Sequence, residues 1–194
     1  SINVTQICNL RCTYCGANGD GTYGSDVKRI ELPKALQQVE HFLKDVKDGE
    51  AFRINFIGGE PLIYPEGVRA IAEFARQTLS DRSAKLTLEI ITNATLITPE
   101  ITAMLAQIGA SVVVSFDGPP SLNDRARVTA SGRGSSEKVL DGIRQLFSIK
   151  PQLQSLGVNA VFGSHQTNVL ESYLYLRSFP WDMMSFSFAS SAQD

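Results

Sequence analysis

The arrangement of apolar residues constrains this 194-residue chain most. Short β-branched runs alternate five times with longer stretches of helical periodicity, and a sixth short run closes the series. The strand candidates are residues 2–7, 52–57, 86–92, 111–116, 157–162 and 184–188. Runs such as Val112-Val113-Val114 are almost wholly apolar, which predicts parallel strands covered on both faces. The helix candidates are residues 32–46, 67–79, 98–108, 135–149 and 168–178. The first places Leu36, Val39 and Leu43 on one face, and the third opens with Thr98 as N-cap and Pro99 at the first helical position. This order predicts an α/β fold of parallel βαβ units with right-handed crossovers. The pattern leaves two architectures open, a doubly wound sheet and a curved partial barrel. In both, reactive groups gather at the C-terminal ends of the strands.

Hydrophobic residues make up 43% and charged residues 20% of the chain, values that fit a globular protein rather than a disordered one. No linker, low-complexity tract or repeat divides it, so residues 1–194 read as one domain. With 18 basic against 20 acidic residues the net charge is −2, which excludes an electrostatic footprint for nucleic acid. No apolar stretch approaches the length of a membrane span, and the first eleven residues show no signal-peptide pattern. A cytoplasmic protein is the expectation. The chain begins with Ser1 rather than Met, which suggests a processed, trimmed or partial chain.

All three cysteines, Cys8, Cys12 and Cys15, fall within eight residues. An odd number in a chain this long is no disulfide framework. Soft thiolates in one loop suit an iron–sulfur cluster or zinc in a reducing compartment. Zinc would want a fourth ligand, yet there is no second cysteine pair, and neither His41 nor His165 has ligand spacing to the loop. Three thiolates on a four-iron cubane leave one iron uncapped by protein, a position at which a small molecule can bind and react. A structural zinc, or unliganded thiols, is the alternative reading.

The second strand candidate ends in Gly58-Gly59-Glu60-Pro61. Two glycines would let the backbone approach a ligand, and Glu60 would present a carboxylate suited to an ammonium group. Taken alone, the segment also reads as a β-turn. The third ends at Thr92-Asn93 and the fourth at Ser115-Phe116-Asp117-Gly118-Pro119, with short polar side chains able to bond hydroxyls or a carboxylate. Arg125 and Arg127 could clamp a carboxylate, although turn chemistry explains this region as well. The segment from Ser131 to Ser135 lacks a phosphate-loop pattern and reads as an exposed turn with an N-cap. An uncapped iron, an amine acceptor, a carboxylate donor and groups for a ribose fit an amino acid joined to a nucleoside. S-adenosylmethionine is the ligand they point to.

Cys-x3-Cys-x2-Cys with Tyr14 before the last cysteine, then GGEP, TN and SFDG in that order, resembles the radical S-adenosylmethionine (radical SAM) enzymes over essentially the whole chain. It is most similar to the group with a C-terminal SPASM or twitch domain, the anaerobic sulfatase maturases and ribosomal-peptide (RiPP) maturases. The resemblance implies a partial (β/α)6 barrel, a TIM-like core. It further implies that Cys8, Cys12 and Cys15 ligate three irons of a [4Fe–4S] cluster whose fourth iron is chelated by the methionyl amine and carboxylate. By the same resemblance Tyr14 lies near the adenine, and Gly58, Gly59, Glu60 and Pro61 receive the amino group. Asn93 and Ser115 contact ribose or carboxylate, Asp117 orders the turn after the fourth strand, and Phe162 marks where the fifth strand approaches the adenine. Arg127 either reaches the carboxylate or braces its loop. Ala94 and Asn123 depart from the family pattern, which has glycine and often histidine there.

The activity implied is reductive cleavage of S-adenosylmethionine to a 5′-deoxyadenosyl radical that abstracts hydrogen from a substrate. SFDGPP and TNATLIT are more like peptide-modifying members than small-molecule synthases, so oxidation or cross-linking of a peptide or protein side chain is expected. A small metabolite in cofactor biosynthesis is the alternative, and a non-catalytic iron–sulfur or zinc module is the alternative of another class. A flavodoxin or ferredoxin is implied as electron donor. Asp20, Tyr23 and Asp26 are available near the cysteines, but their roles as acid, base or relay cannot be assigned from the sequence. The cysteine-rich SPASM segment would lie beyond Asp194, so the chain is expected to be the core of a longer enzyme.

Overall fold

The computed structural model describes residues 1–22, 28–163 and 167–189. Six strands, β1 (Ile2–Thr5), β2 (Ala51–Gly58), β3 (Lys85–Thr92), β4 (Ser111–Ser115), β5 (Ser155–Phe162) and β6 (Met183–Phe188), form one sheet. They lie side by side in chain order and every neighbouring pair is parallel. Phe56, Ile90, Val112 and Leu156 stand in register across its middle. The helices are α1 (Leu32–Leu43), α2 (Pro65–Thr78), α3 (Pro99–Gln107), α4 (Pro120–Ala126), α5 (Ser136–Ser148) and α6 (Val169–Leu176). A doubly wound sheet reverses its strand order midway, which sends helices to both faces. Here the order never reverses, so right-handed crossovers put the helices on one face and the sheet curls into a partial barrel.

Burial follows from that winding. Ile54, Phe56, Leu88, Ile90, Val112, Val114, Leu156, Val158 and Phe162 share one parity along their strands and pack with Val39, Leu43, Val68, Ile71, Leu105, Ile143 and Leu146 from the helices. The opposite parity carries Arg53, Asn55, Glu89, Ser115, Asn159 and Ser185 on the concave face, and these stay half-buried or exposed. The expected cover on both faces therefore holds only for β4, where Ser111 to Val114 are all buried. β2, β3 and β5 alternate with period two because helices shield one side only.

Three local expectations change. β1 stops at Thr5 instead of running to residue 7, because its register with β2 slips between Asn3 and Thr5 and the chain turns away. Residues 120–126, read as turn, form α4, with Pro120 in the first turn and Leu122, Asn123 and Ala126 buried. The turn before α5 is capped from elsewhere: Asp124 Oδ1 accepts from the amides of Ser135 (3.0 Å) and Ser136 (2.8 Å). Thr98 does cap α3, its hydroxyl accepting from the Ile101 amide.

Candidate active site

The ends of β1 to β5 bring the singled-out motifs to one rim of the barrel. Beyond β1 the cysteine loop folds on itself. The Cys8 amide donates to Gly19 O (2.7 Å) and the Cys15 amide to Cys12 O (3.0 Å). The Arg11 guanidinium draws in the carbonyls of Cys8 (2.7 Å), Leu10 (2.8 Å) and Gly19 (3.0 Å). The loop also leans on the segment after α4, through Arg11 N to Val128 O and Thr13 N to Ala126 O. All three thiols are free and half-buried. Among the described residues no group of three or more His, Cys, Asp or Glu side chains is disposed to hold a single metal ion.

Gly58 and Gly59 pack tightly against the chain at and beyond the end of β1. A Cβ on Gly58 would stand 2.2 Å from Thr5 O, and one on Gly59 2.3 Å from Ile7 O and 2.8 Å from Cys8 N. Their missing side chains thus let the end of β2 lie against the cysteine loop, backbone on backbone. The Gly59 and Glu60 amides donate to Thr5 O (2.7 Å) and Ile7 O (2.9 Å), which leaves the turn's carbonyls rather than its amides for any other partner. Pro61 is buried and opens a single 3-10 turn.

Glu60 does not present its carboxylate at the mouth of the sheet. The side chain is 1% exposed and turned inward. Oε1 accepts from the Thr92 hydroxyl (2.8 Å) and the Leu62 amide (3.1 Å), and Oε2 from the Asn93 amide (2.7 Å). It ties the end of β2 to the end of β3. Burial pushes its pKa from 4.5 up to about 7, against the pull of these three donors. The folded protein therefore keeps a proton that the unfolded chain gives up. The stabilisation this brings is complete below about pH 4.5 and is lost as pH rises through about 7, on the order of 3 kcal/mol in all. The metal-free protein should lose unfolding free energy over that window relative to Glu60→Gln, a difference that chemical unfolding at several pH values reads directly.

At the end of β4, Asp117 is 1% exposed and its carboxylate binds groups from several elements. Oδ1 accepts from Arg127 (2.9 Å) and the Val161 amide (2.8 Å), and Oδ2 from the Tyr14 hydroxyl (3.0 Å). Asp117 therefore joins the cysteine loop, β4, β5 and the end of α4. Arg127, 5% exposed, braces its loop through this ion pair. Its guanidinium carbon lies 5.4 Å from the Tyr14 ring centroid, and its Nε is buried without a hydrogen-bond partner. Burial alone would lower the Arg127 pKa, and the Asp117 carboxylate reverses this. Burial also raises the Tyr14 phenol, which keeps its proton for Asp117.

Ser115 stands half-buried on the concave face beside Asn159, whose Oδ1 accepts from Ser185 (2.9 Å) and Ser187 (3.0 Å). The Phe162 side chain points the other way, into the core, with its ring 5.6 Å from Phe186. Any approach of β5 to a ligand there is therefore made by backbone or by residues of the other parity. Asn123, in place of the family's histidine, is fully buried. Its Oδ1 accepts from the Asp117 amide (3.3 Å), and its Nδ2 donates to Asp124 (3.0 Å) and Ser135 (3.3 Å). Ala94 holds φ +57, the conformation that glycine usually supplies. Asp20 is exposed and bonded to Thr22 (2.6 Å), while Tyr23, Asp26 and His165 lie outside the described residues. Asn9, Arg11 and Thr95 were not singled out by the sequence. Their position in and beside the cysteine and Thr-Asn motifs was the only available signal.

The fold is a one-sided parallel barrel of the α/β class with three free thiols gathered beyond its first strand. A model of the Radical SAM superfamily matches residues 2–167, and the chain belongs to that superfamily. It is 28% identical over 186 residues to an uncharacterized protein of Methanocaldococcus jannaschii, covering 95% of this chain and 60% of that one. It is 29% identical over 177 residues to a GTP 3′,8-cyclase of Alkaliphilus oremlandii, covering 90% and 51%. A radical SAM cyclopropyl synthase, TigE of Paramaledivibacter caminithermalis, is 28% identical over 170 residues, covering 81% and 34%. The fold matches that of anSMEcpe with bound AdoMet and the Kp18Cys peptide at a TM-score of 0.80 and 22% identity, over 96% of this chain and 49% of that one. The chain thus spans between about a third and three-fifths of these relatives.

The superfamily's cofactors are a [4Fe–4S] cluster and S-adenosylmethionine, and the residues present fit them. The thiols are soft, free of disulfides and gathered in one loop, the donor chemistry an iron–sulfur cluster takes. Burial pushes Cys8 up and Cys12 up to about 11, so both hold protons until a metal displaces them. The orphaned Arg127 Nε is a ready donor for an anionic group of the nucleoside cofactor.

Proposed function

We propose that Cys8, Cys12 and Cys15 hold the cluster and that this radical SAM enzyme abstracts hydrogen from a peptide or protein side chain. When bound and reduced by an external donor, the cluster would supply the single electron for reductive cleavage of the sulfonium, the chemistry from which hydrogen abstraction follows. The chain's own residues bind and orient. Carbonyls of the Gly58-Gly59 turn would accept from the methionyl ammonium, Arg127 Nε would serve its carboxylate, and Ser115 would face the ribose. Asp117 and Glu60 act through others: they hold the strand ends at fixed separation, so that reacting atoms meet at one place. The observation that carries this reading is the cross-tying of motifs far apart in sequence, Tyr14 to Asp117 (3.0 Å) and Glu60 to Asn93 (2.7 Å), around the thiol loop.

The concave face supports the peptide substrate. Ser115, Asn159, Ser185 and Ser187 offer amide and hydroxyl groups beside the rim, suited to the donors and acceptors of a polypeptide. The peptide held by the similar fold of anSMEcpe points the same way. A nucleotide is the second reading, favoured by the likeness to GTP 3′,8-cyclases over 90% of this chain. The full-length enzyme, loaded without air and given dithionite and S-adenosylmethionine, should release 5′-deoxyadenosine. A co-expressed precursor peptide should lose the mass of two hydrogens or gain a cross-link. Release with GTP and none with peptides would select the second reading, and no release under any condition would overturn both.

A further inference from the structure

The end of β3 meets the cysteine loop through a closed ring of three side chains. Asn93 Nδ2 donates to Asn9 Oδ1 (3.0 Å), Asn9 Nδ2 to Thr95 Oγ1 (2.7 Å), and the Thr95 hydroxyl to Asn93 Oδ1 (2.6 Å). An amide side chain can usually be turned over without changing its shape, so its direction needs an independent anchor. The Thr95 backbone supplies it. A main-chain N–H can only donate, and Thr95 N lies 3.0 Å from Asn93 Oδ1. The oxygen of Asn93 must therefore face Thr95, and its Nδ2 must face the cysteine loop. There it lies 3.7 Å from Cys8 Sγ. The Leu10 amide is a second donor to the same sulfur at 3.4 Å. Among the described residues, Cys12 and Cys15 sulfurs receive none.

We infer that Asn93 is a hydrogen-bond donor to the cluster-ligating sulfur of Cys8, and that Asn9 and Thr95 are positioning residues that lock its amide in that direction. The inference rests on the reading that Cys8 ligates the cluster. Charge drawn from a thiolate by an N–H donor favours the reduced cluster, so hydrogen bonds to sulfur move its potential upward. Asn93 is 6% exposed, and its backbone N–H donates to Glu60 Oε2 (2.7 Å), which fixes the residue from which the side-chain donor projects. The ring thus makes Cys8 electronically unlike its two neighbours.

Reduction potentials of the cluster-loaded full-length enzyme, measured by spectroscopic redox titration without S-adenosylmethionine, test this. Asn93→Leu removes the donor and should shift the midpoint to more negative potential. Poised at the wild-type midpoint, its reduced fraction should fall from one half to about one quarter or less. Thr95→Val, which leaves Asn93 in place, should shift it the same way by less, and Thr95→Ser should restore the wild-type value. A contact of Asn93 with cofactor alone would weaken S-adenosylmethionine binding and leave every midpoint where it was. An unshifted Asn93→Leu midpoint overturns the inference, as does an unshifted Thr95→Val if the first variant does not load. Failure of the wild type itself to load would overturn the ligand assignment and this inference with it.

Discussion

A Cys12→Ala variant, purified and reconstituted without air, is expected to hold no stable four-iron cluster and to release no 5′-deoxyadenosine. Changes in the groups around metal ligands cost roughly 10–100-fold in affinity or activity, and loss of one of only three thiolates should exceed that range. Cys8→Ala and Cys15→Ala should behave alike. The folded domain should survive, because the loop lies outside the hydrophobic core and Arg11 and the Gly19 contact still hold it. Iron and sulfide analysis, absorption near the cluster bands and a thermal melt of the metal-free protein separate the two effects. A variant that binds four irons and turns over would show that the thiol it lacks is no ligand. A variant that simply fails to fold would show that the loop is structural.

Asp117→Asn should cost the fold about 3–5 kcal/mol, the penalty for leaving a buried charge without its partner. Arg127 would keep its cation at 5% exposure with no carboxylate to meet it. For a chain this long, that is a fall in melting temperature on the order of 10 °C. The prediction has a control built on the same physics. Asp117→Leu combined with Arg127→Met removes both charges, and the pair should be less destabilised than Asp117→Asn alone. A loss below 1 kcal/mol for Asp117→Asn would mean that Arg127 finds water or another acceptor, and the bracing role given to it would fail.

The strands and most helices were legible because their signals are local. Period-two or period-3.6 burial and the Thr98-Pro99 cap need only a few neighbouring residues. The rim was legible as motifs, since each sits at a strand end and a parallel barrel turns all those ends one way. The direction of side chains was not. Glu60 reads as an outward carboxylate until Thr92 and Asn93, more than thirty residues on, claim its oxygens. Asp-Gly-Pro-Pro reads as a turn, and α4 is too short for periodicity to contradict it. The N-cap of α5 comes from Asp124, a contact that no local window contains. The ring of Asn9, Asn93 and Thr95 spans 86 residues and exists only once β1 and β3 have been brought to the same rim.

The sheet begins at β1 and ends at β6, with no ladder joining the two among the described residues. A sealed tube would oblige a polymer to enter by one of its ends. If the substrate is the peptide proposed above, an open seam of this kind would let a residue in the middle of a long chain be laid in sideways without threading.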